Sequence, residues 1–262
     1  MHPLLIVSGL TMDFGGIRAL DQVDLRILPG EIVALIGPNG AGKTTLFNCL
    51  TGMYRPTGGQ VLLNPPGRTQ RRLHGLPPHR ITAAGLSRTF QNIRLFPNMT
   101  VLENVMVGRH CRTTAKLFGA IFRPAATVRE ERETVGMCLA LLDRIGLSDQ
   151  ADELAPNLPY GAQRRLEIAR ALATDPQLLL LDEPAAGMNP QETAELEALI
   201  ASIRDDGRSI LLIEHDMKLV MRLSDHIFAM DYGRLIAEGT PDEVRCHPAV
   251  IRAYLGEEAT DA

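Results

Sequence analysis

A chain of 262 residues is long for one domain but ordinary for a single α/β domain that carries a smaller lobe. With 45% hydrophobic and 22% charged residues it can bury a substantial core, which excludes a disordered chain. The net charge of −4 gives no indication of nucleic-acid binding. The N-terminus lacks a secretory signal pattern, and no apolar run approaches the ~20 residues of a membrane span.

Short runs rich in β-branched residues and leucine predict strands along the chain. Helical patterns fall between several of them, which indicates α/β layering. The run before Asp182 is apolar on both faces, as is typical of a central parallel strand covered by helices. The predicted strands are Leu4–Val7, Val23–Ile27, Ile32–Ile36, Leu178–Leu181, Ile210–Ile213 and His226–Met230.

A glycine-rich turn follows the third of these strands and opens an amphipathic segment, Leu46–Thr51. Its glycines let backbone N–H groups approach an anion, and the dipole of a following helix favours negative charge. The pattern is typical of a phosphate-binding loop, in which Lys43 neutralises the terminal phosphates and the Thr44 hydroxyl binds Mg²⁺. The spacing does not fit a dinucleotide-binding turn. The loop that is predicted to bind a nucleoside triphosphate is Gly37-Pro38-Asn39-Gly40-Ala41-Gly42-Lys43-Thr44-Thr45.

The middle of the chain interrupts the alternation of strands and helices. Asn64–Arg80 is basic and contains prolines, so it is predicted to be a surface loop. From Val101 to Gly146 the pattern is mostly helical, with Val128–Ile145 as the longest candidate helix, and this stretch is predicted to form a helical lobe. The four cysteines lie far apart without a C-x-x-C pair, which favours reduced thiols over disulfides or a metal site.

The second chemical signal is the apolar strand that ends in Asp182 and Glu183. Because side chains alternate along a strand, the two carboxylates are expected to point to different places. One can bind Mg²⁺ while the other contacts the water that attacks the γ-phosphate. We assign Asp182 to the metal and Glu183 to the general base, a role that contributes about 10²- to 10⁴-fold in rate.

Several further motifs, taken together, resemble one family across nearly the whole chain. They are Thr89-Phe90-Gln91-Asn92, Leu158–Arg170, Ala185–Pro190, Ile213-Glu214-His215-Asp216-Met217 and Val250–Glu257. The sequence resembles the nucleotide-binding subunits of ATP-binding cassette (ABC) transporters, and most of all the ATPase of branched-chain amino acid importers.

That resemblance implies an α/β fold with a P-loop NTPase (RecA-like) core, an antiparallel β subdomain and an inserted helical subdomain. Residues 1–262 would then be a single cassette domain. Its catalytic core with the β subdomain would comprise 1–93 and 166–262, and the helical subdomain with the signature region would comprise 94–165.

The resemblance also implies a set of site residues for ATP and Mg²⁺. Phe14 would stack on the adenine, Gln91 would sense Mg²⁺ and the attacking water, and His215 would contact the γ-phosphate. An aromatic face can stack on a purine, and a neutral amide can both accept from water and donate to phosphate. The metal ligands would be Thr44, Gln91 and Asp182, and the catalytic residues Glu183, His215 and Gln91.

Family ATPases pair face to face, so that the signature of one subunit caps nucleotide on the other. Here the signature is altered, because Pro159 replaces serine, Tyr160 replaces the first glycine and Ala162 replaces glutamine, while Gly161 is kept and followed by Gln163. Proline supplies neither a hydroxyl nor an N–H to an opposing phosphate. We therefore predict a second, non-identical ATPase subunit as the partner, with two unequal composite sites.

The resemblance further implies two permease subunits, a solute-binding protein that selects the cargo, and a peripheral position on the cytoplasmic face of the inner membrane. Apolar Ile93, Leu95 and Phe96 are candidates for the permease contact, with packing of the helical lobe as the alternative. The expected function is ATP-driven import of branched-chain or other hydrophobic amino acids. A soluble ABC-type ATPase that acts on DNA or ribosomes is the alternative, while a P-loop GTPase is disfavoured by the lack of an N-K-x-D motif.

Overall fold

The structure is a computed structural model that describes residues 2–67, 69–112 and 125–255. In these ranges the strands form two sheets, and helices cover the faces of the larger one. One hydrophobic core lies between the two sheets around Phe47, and another lies between the larger sheet and the helices around Leu166. No helix in the described ranges has the length and apolarity needed to cross a bilayer. The predicted α/β fold is confirmed.

The smaller sheet is antiparallel, with strand order β2-β1-β4-β5. Its inner face is apolar and its outer face is polar, so buried and accessible residues alternate along β1 and β2. Leu5 of β1 lies between Ile27 of β2 and Leu63 of β4, and all three are fully buried. The strands are β1 (Leu5–Phe14), β2 (Ile17–Ile27), β4 (Gly58–Leu63) and β5 (Arg71–Arg72).

The larger sheet has the order β10-β9-β3-β8-β7-β6, in which only β10 runs antiparallel to its neighbour. Its central strands are buried on both faces, as parallel strands covered by helices are. The carboxyl ends of β3, β7 and β8 lie at one edge, where ligands bind in open α/β sheets. The strands are β3 (Ile32–Ile36), β6 (Leu86–Arg88), β7 (Leu178–Asp182), β8 (Ser209–Ile213), β9 (His226–Asp231) and β10 (Arg234–Gly239).

The helices of the described chain fall mainly between these strands and in the middle region. Short 3₁₀ turns occupy His110–Arg112, Ser148–Gln150 and Ala155–Asn157. The α-helices are α1 (Lys43–Leu50), α2 (Pro78–Ala84), α3 (Val101–Arg109), α4 (Ala125–Arg144), α5 (Tyr160–Leu172), α6 (Pro190–Asp205), α7 (Met217–Leu223), α8 (Pro241–Arg245) and α9 (Pro248–Leu255).

The predicted strands are all present, but β1 and β2 are about twice as long as expected. Their outer faces carry polar residues, which hid the strands in a search for apolar runs. The surface loop predicted for Asn64–Arg80 is wrong in part, because it contains β5, the fully buried Leu73 and the start of α2. Residue 68 lies outside the described residues.

The helical stretch predicted from Val101 to Gly146 is confirmed where the structure describes it, while residues 113–124 lie outside the described residues. A capping box at Thr100 and Glu103 starts α3, and α3 packs against α4 and α5. The predicted boundary between residues 165 and 166 falls inside α5, and the subdomain limits stay a prediction. The four cysteines are free, with Cys49 and Cys138 buried.

A buried ion pair joins α5 to the segment that follows β6. Arg164 and Glu167 are both buried, with Nη1 of Arg164 3.2 Å from Oε2 of Glu167. Arg164 also donates to the carbonyls of Phe90 and Gln91, while Glu167 accepts from the Arg94 N–H. Burial raises the pKa of the Glu167 carboxyl, and the Arg164 charge opposes that rise.

Arg164→Met is therefore expected to lower the free energy of unfolding by about 3 to 5 kcal/mol, because it leaves the buried Glu167 carboxylate largely unpaired. Without the guanidinium the Glu167 pKa rises further above its unfolded value, so the penalty grows as pH rises and should be smaller at pH 5 than at pH 8. Urea denaturation of the parent and the variant at both pH values measures this loss in the free energy of unfolding.

The matched control is Arg165→Met, which removes the neighbouring arginine and its more exposed pair with Glu195. Exposed pairs contribute at most about 1 kcal/mol, so this variant should lose much less stability. Equal losses in the two arginine variants, without pH dependence, would contradict a special role for the buried pair.

Candidate functional site

The phosphate loop runs from the end of β3 into the first turn of α1. Gly40 and Gly42 adopt left-handed backbone conformations, with φ of 84° and 101°, which glycine adopts without steric cost. A Cβ at Gly42 would lie 2.7 Å from the Ala19 carbonyl oxygen, so the loop also packs tightly on β2. Its N–H groups therefore gather at a helix N-terminus, which is suited to binding an anion.

Lys43 lies inside this loop with only 7% of its surface exposed. Its Nζ donates to the Gly37 carbonyl at 2.6 Å and to the Pro38 carbonyl at 2.8 Å. Burial lowers the pKa of the Lys43 ammonium, and the nearby Glu183 and Asp182 carboxylates oppose that change. These hydrogen bonds hold the start of the loop close to the Lys43 ammonium.

Glu183 follows β7 and adopts a left-handed conformation, with φ of 47°. A non-glycine residue seldom takes this conformation, and such strain concentrates at functional sites. Its Oε2 accepts from Gln91 Nε2 at 2.8 Å, and its Oε1 is 2.8 Å from His215 Nε2, which must carry the hydrogen. The structure thus brings together three residues that lie far apart in the sequence.

Asp182 is buried at the end of β7, and its carboxylate has a different partner from that of Glu183. Its Oδ2 accepts from Arg88 Nη2 at 2.6 Å, while Arg88 Nη1 donates to Asn48 Oδ1 at 2.6 Å. The Arg88 guanidinium lies near the rings of Phe47 and Phe90. Sequence reasoning missed Arg88, since only its position before Thr89-Phe90-Gln91 connects it with a motif.

Glu214 is a second residue that sequence reasoning did not single out. It is buried after β8, where its Oε1 accepts from the Ala185 N–H at 2.8 Å and its Oε2 from the His215 N–H at 3.1 Å. Burial raises the pKa of the Glu214 carboxyl, against the effect of these N–H donors. A charged residue directly after an apolar strand was the available signal. Glu214 thus connects the turn that follows Glu183 with the backbone of His215.

A cavity of about 200 Å³ opens over the phosphate loop. Sites for whole ligands usually measure about 300 to 1,000 Å³, so this cavity is too small to enclose a nucleotide by itself. Asp182 and Gln91 are not part of its lining, although Gln91 contacts Glu183. The lining residues are Ala19, Asn39, Gly40, Ala41, Gly42, Lys43, Thr44, Thr45, Glu183 and His215.

Phe14 lies at the end of β1, outside this lining, with 42% of its surface exposed. Its ring packs edge to face against Tyr54, with the ring centroids 5.2 Å apart. This is a favourable aromatic geometry. The structure therefore places Phe14 apart from the lysine and the carboxylates, on an accessible aromatic surface.

The altered signature lies at the start of α5. Pro159 is the exposed N-cap and Tyr160 is exposed, whereas Gly161 and Ala162 are buried. The Gln163 side chain donates to the Leu158 carbonyl instead of pointing outward.

The Tyr160 hydroxyl connects this turn to the Glu183 region. It donates to the Ala186 carbonyl at 3.0 Å and accepts from Arg164 Nη2 at 3.1 Å. Because Arg164 also donates to the Gln91 carbonyl, the signature turn connects to Gln91 through hydrogen bonds.

The donor set fits Mg²⁺ rather than a softer metal. Thr44, Gln91 and Asp182 offer oxygen atoms, which this cation prefers, and Asp182 Oδ1 makes no hydrogen bond within the described residues. The same part of the chain contains no cluster of three His, Cys, Asp or Glu side chains that would hold a metal by itself. Mg²⁺ commonly binds through one or two carboxylates together with the phosphates of a substrate.

Comparison with known proteins gives the same picture. The ABC transporter family model matches residues 20–186, and the model of the branched-chain amino acid ATP-binding cassette transporter matches residues 234–260. The high-affinity branched-chain amino acid transport ATP-binding protein LivG of Escherichia coli is 52% identical over 98% of this chain and 99% of its own. The corresponding BraF of Pseudomonas aeruginosa is 50% identical with the same coverage.

Solved structures agree with the sequence relatives. A nucleotide-free ATP-binding cassette from an ABC transporter matches with a TM-score of 0.83 at 30% identity, covering 98% of this chain and 100% of that one. The ADP conformation of an ABC transporter cassette matches with the same score and coverage at 31% identity. The resemblance found in the sequence is thus confirmed, and the chain belongs to the ABC transporter family as one of its ATP-binding ATPase subunits.

Proposed function

We propose that this chain hydrolyses ATP to drive the uptake of branched-chain amino acids through an ABC importer. The observation that carries this conclusion is the Glu183 carboxylate at the cavity over the phosphate loop, held on both oxygens by Gln91 and His215. The amino-acid cargo is supported by the names of the LivG and BraF relatives and by the family model that matches residues 234–260.

The phosphate loop Gly37–Thr45 binds the triphosphate through its backbone N–H groups and the Lys43 ammonium. Thr44, Asp182 and Gln91 would hold Mg²⁺, which when bound would neutralise charge that develops on the phosphates. Arg88 keeps the Asp182 carboxylate in one orientation through its ion pair. Phe14 stacks on the adenine, a role supported by the partial exposure of its aromatic ring.

Hydrolysis requires a group that takes the proton of the attacking water, and Glu183 does this as the general base. Its strained backbone and two hydrogen-bond donors hold the carboxylate in one place, which reduces the reorganisation needed during reaction. His215 would also contact the γ-phosphate, while Gln91 would contact the attacking water and Mg²⁺. Two of the three residues line the same cavity.

The second half of each nucleotide site comes from a different ATPase subunit. The small cavity supports this proposal, because a nucleotide bound there keeps much of its surface uncovered. The cap that this chain offers to its partner is weak, since Pro159 has no N–H and the Ala162 side chain is buried. The two composite sites are therefore unequal, with this chain's own Lys43 and Glu183 in the more active one.

Two permease subunits receive the motion of this chain through the segment after β6. Phe96 has 43% of its surface exposed beside a groove between the β6 edge and α3, whereas Leu95 packs against the core. Buried Asn104 holds the segment through hydrogen bonds with the Phe96 N–H and the Phe96, Met99 and Thr100 carbonyls. A rigid segment with one exposed aromatic suits docking of a short apolar helix.

The chain thus acts on the cytoplasmic face of the inner membrane as a peripheral subunit, and a solute-binding protein together with the permease selects the cargo. An action on DNA or ribosomes has no specific observation in its favour. The chain carries a net charge of −4, and the relatives LivG and BraF, which match over 98% of it, are named as transport ATP-binding proteins.

Glu183→Gln tests the assignment of the base. In the assembled transporter it is expected to lower ATP turnover at this chain's site by about 10²- to 10⁴-fold, because an amide does not take the proton. ATP binding should persist, since the phosphate loop is unchanged. Single-turnover phosphate release and equilibrium nucleotide binding measure the two effects separately.

The matched control is Glu195→Gln, which changes an exposed carboxylate on α6. Retention of most turnover in the Glu183 variant would refute the assignment.

Phe96→Ser tests the permease contact. Loss of an exposed aromatic anchor is expected to weaken attachment to the permease by about 10- to 30-fold and to lower uptake per ATP hydrolysed. Met137→Ser, which removes an equally exposed side chain from α4, should change neither value. Binding to permease vesicles and the uptake-to-hydrolysis ratio provide the readouts. A lower unfolding midpoint with normal coupling would show that Phe96 serves packing instead.

A further inference from the structure

The last described helix, α9, packs against the catalytic core through Val250. Val250 is buried in the same hydrophobic core as Val244 of α8, and α9 also contacts β10. Tyr254 lies four residues after Val250 and therefore on the same face of the helix. Val250 thus anchors the face of α9 that carries Tyr254, whose side chain keeps 42% of its surface exposed.

The Tyr254 hydroxyl reaches the first residue of the phosphate loop. Its Oη accepts a hydrogen bond from the Gly37 N–H at 2.8 Å. The Gly37 carbonyl accepts from Lys43 Nζ at 2.6 Å. Gly37 is therefore held on both sides, with its N–H bound to the C-terminal helix and its carbonyl bound to the lysine of the loop.

The backbone at Gly37 has little room to move. Its φ is 148°, and a Cβ at this position would lie 2.2 Å from the Met230 carbonyl oxygen at the end of β9. The loop thus leaves the sheet at a close-packed point that glycine alone accommodates. A hydrogen bond to Gly37 fixes the position of the first loop residue. It thereby helps to position the backbone N–H groups that follow in the loop.

This contact joins two parts of the chain that match separate family models. Gly37 lies in the ABC transporter match at residues 20–186, and Tyr254 lies in the match at 234–260 that is described as the branched-chain amino acid ATP-binding cassette transporter. Burial raises the pKa of Tyr254, so the hydroxyl stays protonated at neutral pH.

We propose that Tyr254 is a positioning residue for nucleotide binding, through which the C-terminal helix holds the phosphate loop ready for ATP. The inference rests on the proposed binding of ATP at this loop. A loop that is ordered before binding loses less conformational freedom when the ligand arrives, and so binds it more tightly. Removing the hydroxyl should weaken ATP and ADP binding alike, because both carry phosphates that the loop contacts.

Tyr254→Phe removes the hydroxyl but keeps the ring. In the full chain it is expected to raise the Kd for ATP and for ADP by about two- to tenfold, the equivalent of one neutral hydrogen bond. Hydrogen exchange at the Gly37 amide should also become faster, because its acceptor is gone. Titration with ATP and ADP, together with exchange measured without nucleotide, gives the two readouts.

Two further variants complete the test. Tyr232→Phe removes the hydroxyl of a tyrosine that is 87% exposed in the β9–β10 turn and should leave both readouts unchanged. Lys43→Ala serves as the reference for an ATP affinity that is lowered by direct loss of a phosphate contact. If the parent binds ATP and Tyr254→Phe matches it in Kd and exchange, this inference alone is overturned. If the parent does not bind ATP, the proposed function fails together with it.

Discussion

One buried ammonium determines the shape of the phosphate loop on which the rest of the site depends. Lys43 donates to the carbonyls of Gly37 and Pro38, so the lysine closes the loop from inside. A charge in this position is costly to bury, and burial lowers its pKa while two carboxylates nearby favour the charged form. The loop N–H groups and the ammonium then form one positive pocket at the start of α1.

The parallel sheet gathers the other groups at the same edge. Asp182 ends β7 and Glu183 follows it, while Glu214 and His215 follow β8. Neighbouring strands thus place all four side chains next to the loop after β3. Gln91 comes from the segment after β6, and its side chain donates to Glu183. Arg164 holds this segment by donating to the Gln91 carbonyl. The carboxylate of Glu183 is therefore held by side chains from two distant parts of the chain, and Gln91 also links it to the signature turn.

Local patterns in the sequence were sufficient for much of this arrangement. The phosphate loop, the strand before Asp182 and the central helices each have a short-range signal, either a motif or an apolar period. The contacts of Arg88 and Tyr254 have no such signal, although both residues lie beside or within a motif. Their partners Asp182 and Gly37 are distant in sequence and come into contact only in the folded chain. The outer parts of β1 and β2 were missed since their polar face lacks an apolar run.

The measurement that tests the central claim most directly is the ATP affinity of Lys43→Ala, compared with Lys218→Ala at an exposed lysine on α7. If the buried ammonium binds the phosphates, Lys43→Ala should raise the Kd for ATP by about 10- to 100-fold, the equivalent of a charged hydrogen bond. Lys218→Ala should bind as the parent does. ATP affinity and uptake equal to those of the parent in the Lys43 variant would contradict the account.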